Sequence, residues 1–411
     1  MFDYSPVSIL NIIIPMIIVG FCVLYIYLKL SYGFWFYQPV FHLYDFYYYL
    51  FPCGIVEKGF PEKNKFTNLT DIVMYPIDKI QNGHLFQQFV SFIKSHYMRN
   101  NTNDYIPTVN DTIPYFLHHK HSCFITYYYN NQLLQSTIGN KIITRKQIIG
   151  VMTTRPIQIE IKQSSSFSKM YAYYVDYLCV HKKHRKNGIA PQLIQTHYYH
   201  QRRKNNIIYA NLFKREGELT GIMPLCVYSS YLFDLLSVSV NNILEPNYEH
   251  MRCGTQTIDH FVNFVRNPKI KNMFDINICS DLSNLIELVK TNCYFIECIV
   301  DTSNYNNIIC CFIFKKTNVT IQHEKEVISC IASIRSKECS SFIFINGFKL
   351  CVRTFAKSYE YLLIEKLSHN IELCDNLCSE FIPMLTSPMA YFFHNFVHPT
   401  INSGKALIFG T

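Results

Sequence analysis

Residues 176–191 carry the residue types that bind an anion. The segment reads Asp-Tyr-Leu-Cys-Val-His-Lys-Lys-His-Arg-Lys-Asn-Gly-Ile-Ala-Pro, which predicts a strand, a basic turn and a helix with Pro191 in its first turn. Gly188 would let the backbone approach a ligand, and the main-chain N–H groups that begin the helix would point at an anion. Because Arg185 and Lys186 add positive charge, the pattern predicts a pyrophosphate site. A solvated basic turn before a surface helix is the alternative.

Cysteine and histidine spacing gives no sign of a metal site. The 16 cysteines are scattered, and Cys374 and Cys378 lack the second pair that a zinc ribbon requires. The cluster of His118, His119, His121 and Cys123 is more crowded than a zinc finger. We therefore predict no metal, reduced and buried thiols, and a cytosolic compartment for the folded part.

Several periodic segments must position the basic turn. Apolar alternation and helical spacing predict a helix over residues 85–97, antiparallel strands near 123–129, 148–153 and 171–179, a helix over 191–203 and a strand over 207–210. Beyond residue 234 a second round follows, with a helix over 258–265, strands over 294–300, 308–314, 326–334 and 341–345, a helix over 358–368, and strands near Tyr391 and Leu407. The pattern predicts two α+β halves, 29–234 and 235–411.

The first apolar segment, residues 4–28, contains no charged residue. A helix of this length can cross a hydrocarbon layer of about 30 Å. Asp3 precedes the segment and Lys29 follows it, so the positive-inside tendency places the remaining chain in the cytosol. We predict a single-pass membrane protein. A cleaved signal peptide is the alternative, although no basic residue precedes the segment and no small-x-small site follows Leu28.

Composition excludes other classes of protein. The chain has 411 residues, 49% of them hydrophobic and 16% charged, a balance that disordered proteins do not have. The formal net charge of +9 suits an anionic ligand or membrane surface without requiring nucleic acid, and we predict no nucleic-acid partner.

Motifs along the chain resemble those of N-myristoyltransferases. Tyr177 to Lys183, with Arg185 and the run Ile189-Ala190-Pro191, resembles the LCVHKK...R...VAP signature of that family. Four further matches follow the family order: Phe34-Trp35 with Gln38-Pro39-Val40, Gly150 to Pro156 with Ile159 and Ile161, Tyr209-Ala210, and Tyr391 to Asn395 followed by Gly404 to Thr411. The resemblance implies two pseudo-symmetric halves of the fold of GCN5-related acetyltransferases, with a mixed sheet, behind the membrane helix.

The resemblance also implies an activity and a site. A myristoyl group would pass from myristoyl-CoA, a co-substrate, to the amino-terminal glycine of a protein, with no permanent cofactor. The terminal carboxylate of Thr411 would be the base, and backbone N–H groups of Tyr177 and Leu178 the oxyanion hole. The acyl-CoA would contact the following residues: Gly33, Phe34, Trp35, Cys179, Val180, Arg185, Lys186, Gly188, Ile189 and Ala190. For Trp35, an interfacial membrane anchor is the alternative.

Three positions depart from the family pattern. Asp176 stands where the family has asparagine, Gly188 replaces the second arginine of the turn, and the segment from Met384 to Pro388 replaces a Gly-Asp-Gly loop. This loop lies near the peptide groove in the family, so the substrate specificity could differ. Two alternatives stay open: an acetyl-CoA-dependent acetyltransferase, and an inactive membrane-tethered binder of acyl-CoA or acylated tails.

Overall fold

The structure is a computed structural model that describes residues 6–52, 54–98, 103–135, 142–163, 166–217, 221–238, 244–303, 307–321 and 325–411. The helices are α1 (Pro6–Tyr32), α2 (Phe46–Leu50), α3 (His84–His96), α4 (Val109–Thr112), α5 (Ile189–Lys204), α6 (Leu235–Val238), α7 (Ile258–Arg266), α8 (Pro268–Lys271), α9 (Leu282–Lys290), α10 (Ser341–Arg353) and α11 (Asn370–Glu380). The strands up to residue 234 are β1 (Gly54–Ile55), β2 (Ile72–Pro76), β3 (Asn103–Tyr105), β4 (Phe124–Gln135), β5 (Ile142–Lys162), β6 (Phe167–Val180), β7 (Ala210–Glu216) and β8 (Cys226–Asp234). The later strands are β9 (Tyr248–Cys253), β10 (Ile276–Cys279), β11 (Tyr294–Asp301), β12 (Ile308–Ile321), β13 (Lys325–Arg335), β14 (Tyr361–Glu365), β15 (Leu385–His394), β16 (Phe396–Val397) and β17 (Ala406–Ile408).

Fifteen of the described strands form one mixed sheet, whose main path runs β17-β10-β5-β6-β7-β15-β8-β14-β13-β12-β11-β9. Off this path, β4 pairs with β2 and β5, and β3 pairs with β12. Two parallel pairs, β6 with β7 and β13 with β14, are each connected through a helix, α5 or α10. The mixed α+β prediction is therefore confirmed.

The two halves of the chain exchange strands across the centre of this sheet. β15, from the second half, lies between β7 and β8, while β8, from the first half, lies between β15 and β14. β10 and β17, also from the second half, extend the sheet beyond β5. One continuous sheet therefore crosses residue 234, and the boundary between the two halves stays a prediction.

The helices pack on the sheet through buried apolar side chains. In the largest cluster Phe86 and Phe89 of α3 pack with Phe261 of α7 and Leu288 of α9. A second cluster lies beneath α10 and α11 and includes Phe344 and Phe348 of α10. This amphipathic pattern, with the apolar face on the sheet, is what the spacing in α3 and α7 predicted.

The amino-terminal helix α1 is exposed over most of residues 13–32. One described helix is long and apolar enough to cross a membrane, over Ile13–Tyr32, and none of that span is buried within the protein. The helix extends past the predicted end at Leu28, and residues 4 and 5 of the predicted span lie outside the described residues.

Three predicted elements are wrong. Residues 341–345 begin helix α10, because apolar Ile343, Phe344, Gly347, Phe348 and Cys351 continue a helical period and the Ser340 side chain accepts a hydrogen bond from the N–H of Ile343. Residues 361–365 form β14, a parallel strand whose apolar run is buried on both sides. The strand predicted over 207–210 begins only at Ala210.

Candidate active site

The basic turn has the geometry of an anion site. β6 ends at Val180 and α5 begins at Ile189, directly after Gly188, whose φ of 71° lies in the left-handed region. A Cβ on Gly188 would meet no atom within 4 Å, so the space over this backbone is open. Because α5 is long and its first N–H groups have no partner within the helix, this end attracts negative charge. The turn can therefore hold a phosphate group.

A cavity lies over the turn, and seven of the predicted acyl-CoA residues line it. They are Cys179, Val180, Arg185, Lys186, Gly188, Ile189 and Ala190. The Arg185 side chain donates through Nη2 to the carbonyl oxygen of His96, 2.7 Å away, and through Nε to that of Val180. Arg185 therefore ties the turn to the end of α3 in addition to supplying charge.

A glycine in β5 brings α5 close to the sheet. A Cβ on Gly150 would lie 2.7 Å from Cδ1 of Leu193 and 3.2 Å from Cγ2 of Ile189. Any larger residue at Gly150 would push the first turns of α5 outward. The position of the basic turn thus depends on Gly150, which is part of the Gly150 to Pro156 motif.

Strand β6 bulges next to the turn. The β5–β6 register pairs Met152 with Leu178 and Thr154 with Val175, so two residues of β6 stand opposite Thr153. Such a bulge frees backbone groups from the ladder. The N–H of Tyr177 donates to Oγ1 of Thr153 at 3.2 Å, so one of the two N–H groups predicted for the oxyanion hole has a weak local partner.

The sheet opens between β6 and β7 beyond the bulge. These parallel strands pair only from Ala172 to Tyr174 with Ala210 to Leu212. A mostly apolar cavity of about 310 Å³ fills the gap. The wall includes Trp35, which stacks on Phe213 with a centroid distance of 5.6 Å. Trp35 thus lines this cavity, and Gly33 and Phe34 lie beside it. Among the described residues, neither Gly33 nor Phe34 lines this cavity or the cavity over the turn.

A second cavity, of about 660 Å³, lies on the other side of the bulge. Tyr177, Lys315 and Glu365 are among its lining residues. Leu385, Ser387 and Met389 of β15 also line it, so the segment that replaces the Gly-Asp-Gly loop forms part of its wall. We call this space the acceptor cavity and the one beside Trp35 the apolar cavity.

The two cavities and the turn meet at a few residues. Tyr97 lines all three spaces, and its hydroxyl lies 3.4 Å from the carbonyl oxygen of Asp176. Val175, Asp176, Lys214 and Glu216 line both cavities, and Leu178 joins the apolar cavity to the turn. A ligand on the turn can therefore extend past the β6 bulge, where a second ligand in the acceptor cavity could reach it.

A buried arginine links the bulge to the end of the chain. Arg155 is fully buried, and its Nε lies 3.0 and 2.9 Å from the two carboxylate oxygens of Asp176. Its Nη1 donates to the carbonyl oxygen of Gly410 at 2.6 Å. Burial raises the pKa of Asp176, and the charge of Arg155 opposes that rise.

The last residue is buried beside the acceptor cavity. Lys315 Nζ lies 2.7 Å from the terminal oxygen of Thr411, and the Tyr294 hydroxyl donates to the same oxygen at 3.2 Å. The Thr411 hydroxyl contacts that of Tyr391 at 3.0 Å. Thr411 itself does not line the cavity, but its partner Lys315 does. Burial, followed by the charge of Arg155, lowers the pKa of Lys315 to about 8.

Two neutral histidines line the apolar cavity. Burial lowers the pKa of both His197 and His394 to about 3. His197 lies 2.8 Å from the hydroxyls of both Thr126 and Thr154, and His394 lies 3.2 Å from Oε1 of Gln38. Their hydrogen bonds hold the cavity wall without adding charge to it.

Sequence reasoning missed Lys315, Arg155 and Lys214. Lys315 and Lys316 follow seven buried apolar positions of β12, so the break in that run marks where the strand leaves the core. Arg155 stands in the apolar alternation of β5, where a buried cation requires a partner. Neither signal identifies the partner, which in both cases lies far along the chain.

Comparisons with known proteins agree with this arrangement. Residues 61–223 match the family model for the "Myristoyl-CoA:protein N-myristoyltransferase, N-terminal domain". The match covers less than half of the chain and confirms the predicted resemblance to N-myristoyltransferases over that segment. It indicates an acyltransferase. The matched N-myristoyltransferase domain contains the β6 bulge, the turn and α5. A search of curated protein sequences finds no match.

Solved structures share the fold over nearly the whole chain. Saccharomyces cerevisiae N-myristoyltransferase with bound myristoyl-CoA superposes with a TM-score of 0.65 at 12% identity, covering 91% of this chain and 94% of that one. A second structure of the yeast enzyme, with myristoyl-CoA and inhibitors, has a TM-score of 0.63 at 13% identity, covering 92% and 93%. A tandem GNAT protein from the clavulanic acid biosynthesis pathway has a TM-score of 0.51 at 10% identity, covering 80% and 100%. The chain therefore has the yeast enzyme's fold on both sides of residue 234.

Proposed function

We propose that the chain transfers a myristoyl group from myristoyl-CoA to the amino-terminal glycine of proteins. The observation that carries the proposal is the meeting of the apolar and acceptor cavities at the β6 bulge, next to the open turn. One space suits a long acyl chain, the turn suits the CoA phosphates, and the acceptor cavity is large enough for a peptide terminus. The yeast enzyme, named with bound myristoyl-CoA, supports the same choice of co-substrate.

The pyrophosphate would bind where Gly188 leaves the backbone open. Lys186, Gly188, Ile189 and Ala190 surround that space, and the first N–H groups of α5 would donate to the phosphate oxygens. Leu178, which joins the turn to the apolar cavity, would then contact the arm that leads to the thioester. Trp35 and Phe213 would cover the apolar part of the ligand.

The thioester oxygen would lie over the bulge. Backbone N–H groups of Tyr177 and Leu178 would stabilise the negative charge that develops on this oxygen during attack. The N–H of Tyr177 must exchange its hydrogen bond to Thr153 for one to the ligand. Because the bond to Thr153 is long, at 3.2 Å, this exchange costs little free energy. The glycine nitrogen then bonds to the carbonyl carbon, the C–S bond breaks, and CoA leaves as the thiol.

The attacking amine must first lose a proton, since only the neutral amine carries a free electron pair. We assign this proton to the terminal carboxylate of Thr411, whose oxygen Lys315 and Tyr294 hold in one position. Asp176 is the second candidate base because it lines both cavities. Burial raises the pKa of Asp176, and its contacts with Nε of Arg155 oppose that rise.

A transfer assay tests the proposed function. Full-length protein is mixed with myristoyl-CoA and a peptide that begins with glycine, and released CoA thiol and acylated peptide are measured. The matched control peptide has its amino terminus acetylated, so it offers no amine. We expect equal amounts of thiol and acyl-peptide with the first peptide and neither product with the second. Acetyl-CoA turnover equal to that of myristoyl-CoA would favour the acetyltransferase alternative, and ligand binding without product would favour a binder.

The exposed helix α1 supports a membrane location for this activity. We propose that α1 crosses the bilayer and that the catalytic body faces the cytosol, because Lys29 follows the apolar span and the body holds buried, unpaired cysteines such as Cys226 and Cys330. Protease added to sealed vesicles of known orientation tests the side on which the body lies.

A further inference from the structure

A short aromatic segment follows the apolar helix and leaves most of its side chains exposed. The aromatic patch consists of six residues: Leu43, Phe46, Tyr47, Tyr49, Leu50 and Phe51. Phe46 is 79% exposed and Leu50 74%. Soluble surfaces expose single large apolar residues but seldom a contiguous set, so this patch requires a partner.

The segment is fixed to the body, so its exposed side chains have a defined direction. Phe41 is buried and contacts the rings of Tyr48 and Tyr49. The N–H of Leu43 donates to the carbonyl oxygen of Gly221 at 3.0 Å. The aromatic patch is therefore attached to the body through Phe41 and Leu43, while most of the surface of its side chains stays exposed.

The patch lies at the carboxyl-terminal end of the apolar helix. Tyr32, the last residue of α1, contacts the ring of Tyr44 at a centroid distance of 5.9 Å, two residues before α2 begins. Tyr25 of α1 contacts Phe36 at 5.4 Å. If α1 crosses a bilayer, this end of the helix is where the hydrocarbon meets water.

The charges around the patch suit a lipid headgroup layer. No charged residue occurs from Phe46 to Phe51, and the Asp45 carboxylate turns inward to accept from the N–H of His42 at 3.0 Å. Lys29, at the carboxyl-terminal end of α1, is exposed and lies 5.8 Å from the centroid of the Tyr25 ring. Lys65 is also exposed and lies over the ring of Tyr37 at 4.7 Å. Cations beside exposed aromatic rings are typical of segments that lie in the interface of anionic membranes.

We propose that the aromatic patch lies in the headgroup region of the bilayer that α1 crosses and holds the body against the membrane surface. This inference rests on the proposed membrane span of α1. Trp35 follows α1 by three residues and lines the apolar cavity, so the docked orientation brings the acyl site close to the lipid surface, where long-chain acyl-CoA partitions.

Tryptophan depth measurements on the full chain test the proposal. Trp35 is the only tryptophan, so Trp35→Phe provides a background in which Phe46→Trp or Leu50→Trp is the sole tryptophan. The protein is reconstituted into vesicles of phosphatidylcholine and phosphatidylserine that carry bromine at defined acyl positions. Phe21→Trp, in the same background, reports insertion of α1, and Ile382→Trp is the control because residue 382 is an exposed apolar position in the second half of the chain.

Phe46→Trp and Leu50→Trp should be quenched most by shallow bromines, about 5–10 Å into the headgroup and acyl boundary. Phe21→Trp should be quenched by deep bromines, and Ile382→Trp should not be quenched. Quenching of Phe21→Trp without quenching at residues 46 and 50 would overturn the docking proposal and leave the membrane span intact. Absence of quenching at residues 21, 46 and 50 would overturn both the docking proposal and the membrane span. Quenching at residue 382 would overturn the docking proposal, because it would show that the protein adsorbs to the membrane unspecifically.

Discussion

Lys315 Nζ lies 2.7 Å from the terminal oxygen of Thr411, inside the protein and beside the acceptor cavity. The two residues come from β12 and from the segment after β17, 96 positions apart. An ammonium at this distance stabilises a carboxylate that burial would otherwise protonate. Lys315 therefore acts on the proposed base as a positioning residue, in surroundings that also include Arg155, Asp176 and Lys214.

Lys315→Met should shift the pH dependence of turnover. Without the ammonium, the terminal carboxylate loses the positive charge 2.7 Å from its oxygen, so the acidic limb of the kcat profile should move to higher pH. The dissociation constant of myristoyl-CoA should stay unchanged, because Lys315 lies on the acceptor side. Lys316→Met is the matched control, since Lys316 pairs with Asp111 at 2.8 Å. If the acidic limb of the kcat profile does not move in Lys315→Met, the terminal carboxylate is not the base.

Changes at the terminus should separate the carboxylate from the threonine side chain. Adding residues after Thr411 turns the carboxylate into an amide, and turnover should fall by about 10²-fold or more while acyl-CoA binding persists. Thr411→Ala keeps the carboxylate and should retain most turnover. It loses the contact with Tyr391, which should reduce the free energy of unfolding by about 1 kcal/mol. Full turnover in the extended protein would show that the terminal carboxylate is not the base and would leave Asp176 as the candidate.

Asp176→Asn tests the second candidate base. The amide keeps the size of the side chain but cannot take up a proton. If Thr411 is the base, turnover should fall by less than about tenfold, with an added loss of stability because Arg155 is left buried with an uncompensated charge. Urea unfolding, followed alongside kcat, distinguishes the two effects. A loss of turnover as large as that of the extended terminus, with acyl-CoA binding retained, would assign the proton to Asp176.

Gly188→Asn should weaken CoA binding by about tenfold or more, because a side chain would fill the open space over the turn where we propose that the pyrophosphate binds. Asparagine tolerates a positive φ better than other residues, so the fold should survive. Gly217→Asn is the matched control, since Gly217 also has a positive φ and open space at its Cβ. Calorimetric titration with myristoyl-CoA measures both. Equal affinities of the two variants for myristoyl-CoA would indicate that the turn is a solvated loop that does not bind CoA.

Acid should destabilise the protein through His197 and His394. Burial holds the folded-state pKa of each near 3, below the ordinary 6.5, so between these values only the unfolded state binds the proton. Stability is therefore complete above pH 6.5 and is lost as the pH falls toward 3, by about 1.4 kcal/mol per unit for each histidine. His197→Gln should reduce the slope of the unfolding free energy against pH by the contribution of about one proton. The change His118→Gln, at an exposed histidine, should leave this slope unchanged. Denaturant unfolding of the full chain in detergent, followed by Trp35 fluorescence, measures these slopes.

Local patterns in the sequence are enough to predict α1, α3, α5, the strands β4 to β6 and the basic turn before α5. Each depends on neighbours within a few residues: an uncharged apolar run, a helical or alternating period, or a glycine before a helix. The turn residues 185–190 line one cavity in the structure, because consecutive residues of a strand-turn-helix unit stay together in any fold that contains it.

Tertiary structure alone decided the rest of the site. Arg155 meets Gly410, 255 residues away, and Lys315 meets Thr411, because β15 and β8 exchange between the halves and β17 extends the sheet past β10. Short apolar runs such as 341–345 and 361–365 fit a helix or a strand equally well until their burial partners are known. The sequence by itself thus determined how the chain forms the open basic turn, and long-range pairing decided which buried charges surround the acceptor cavity.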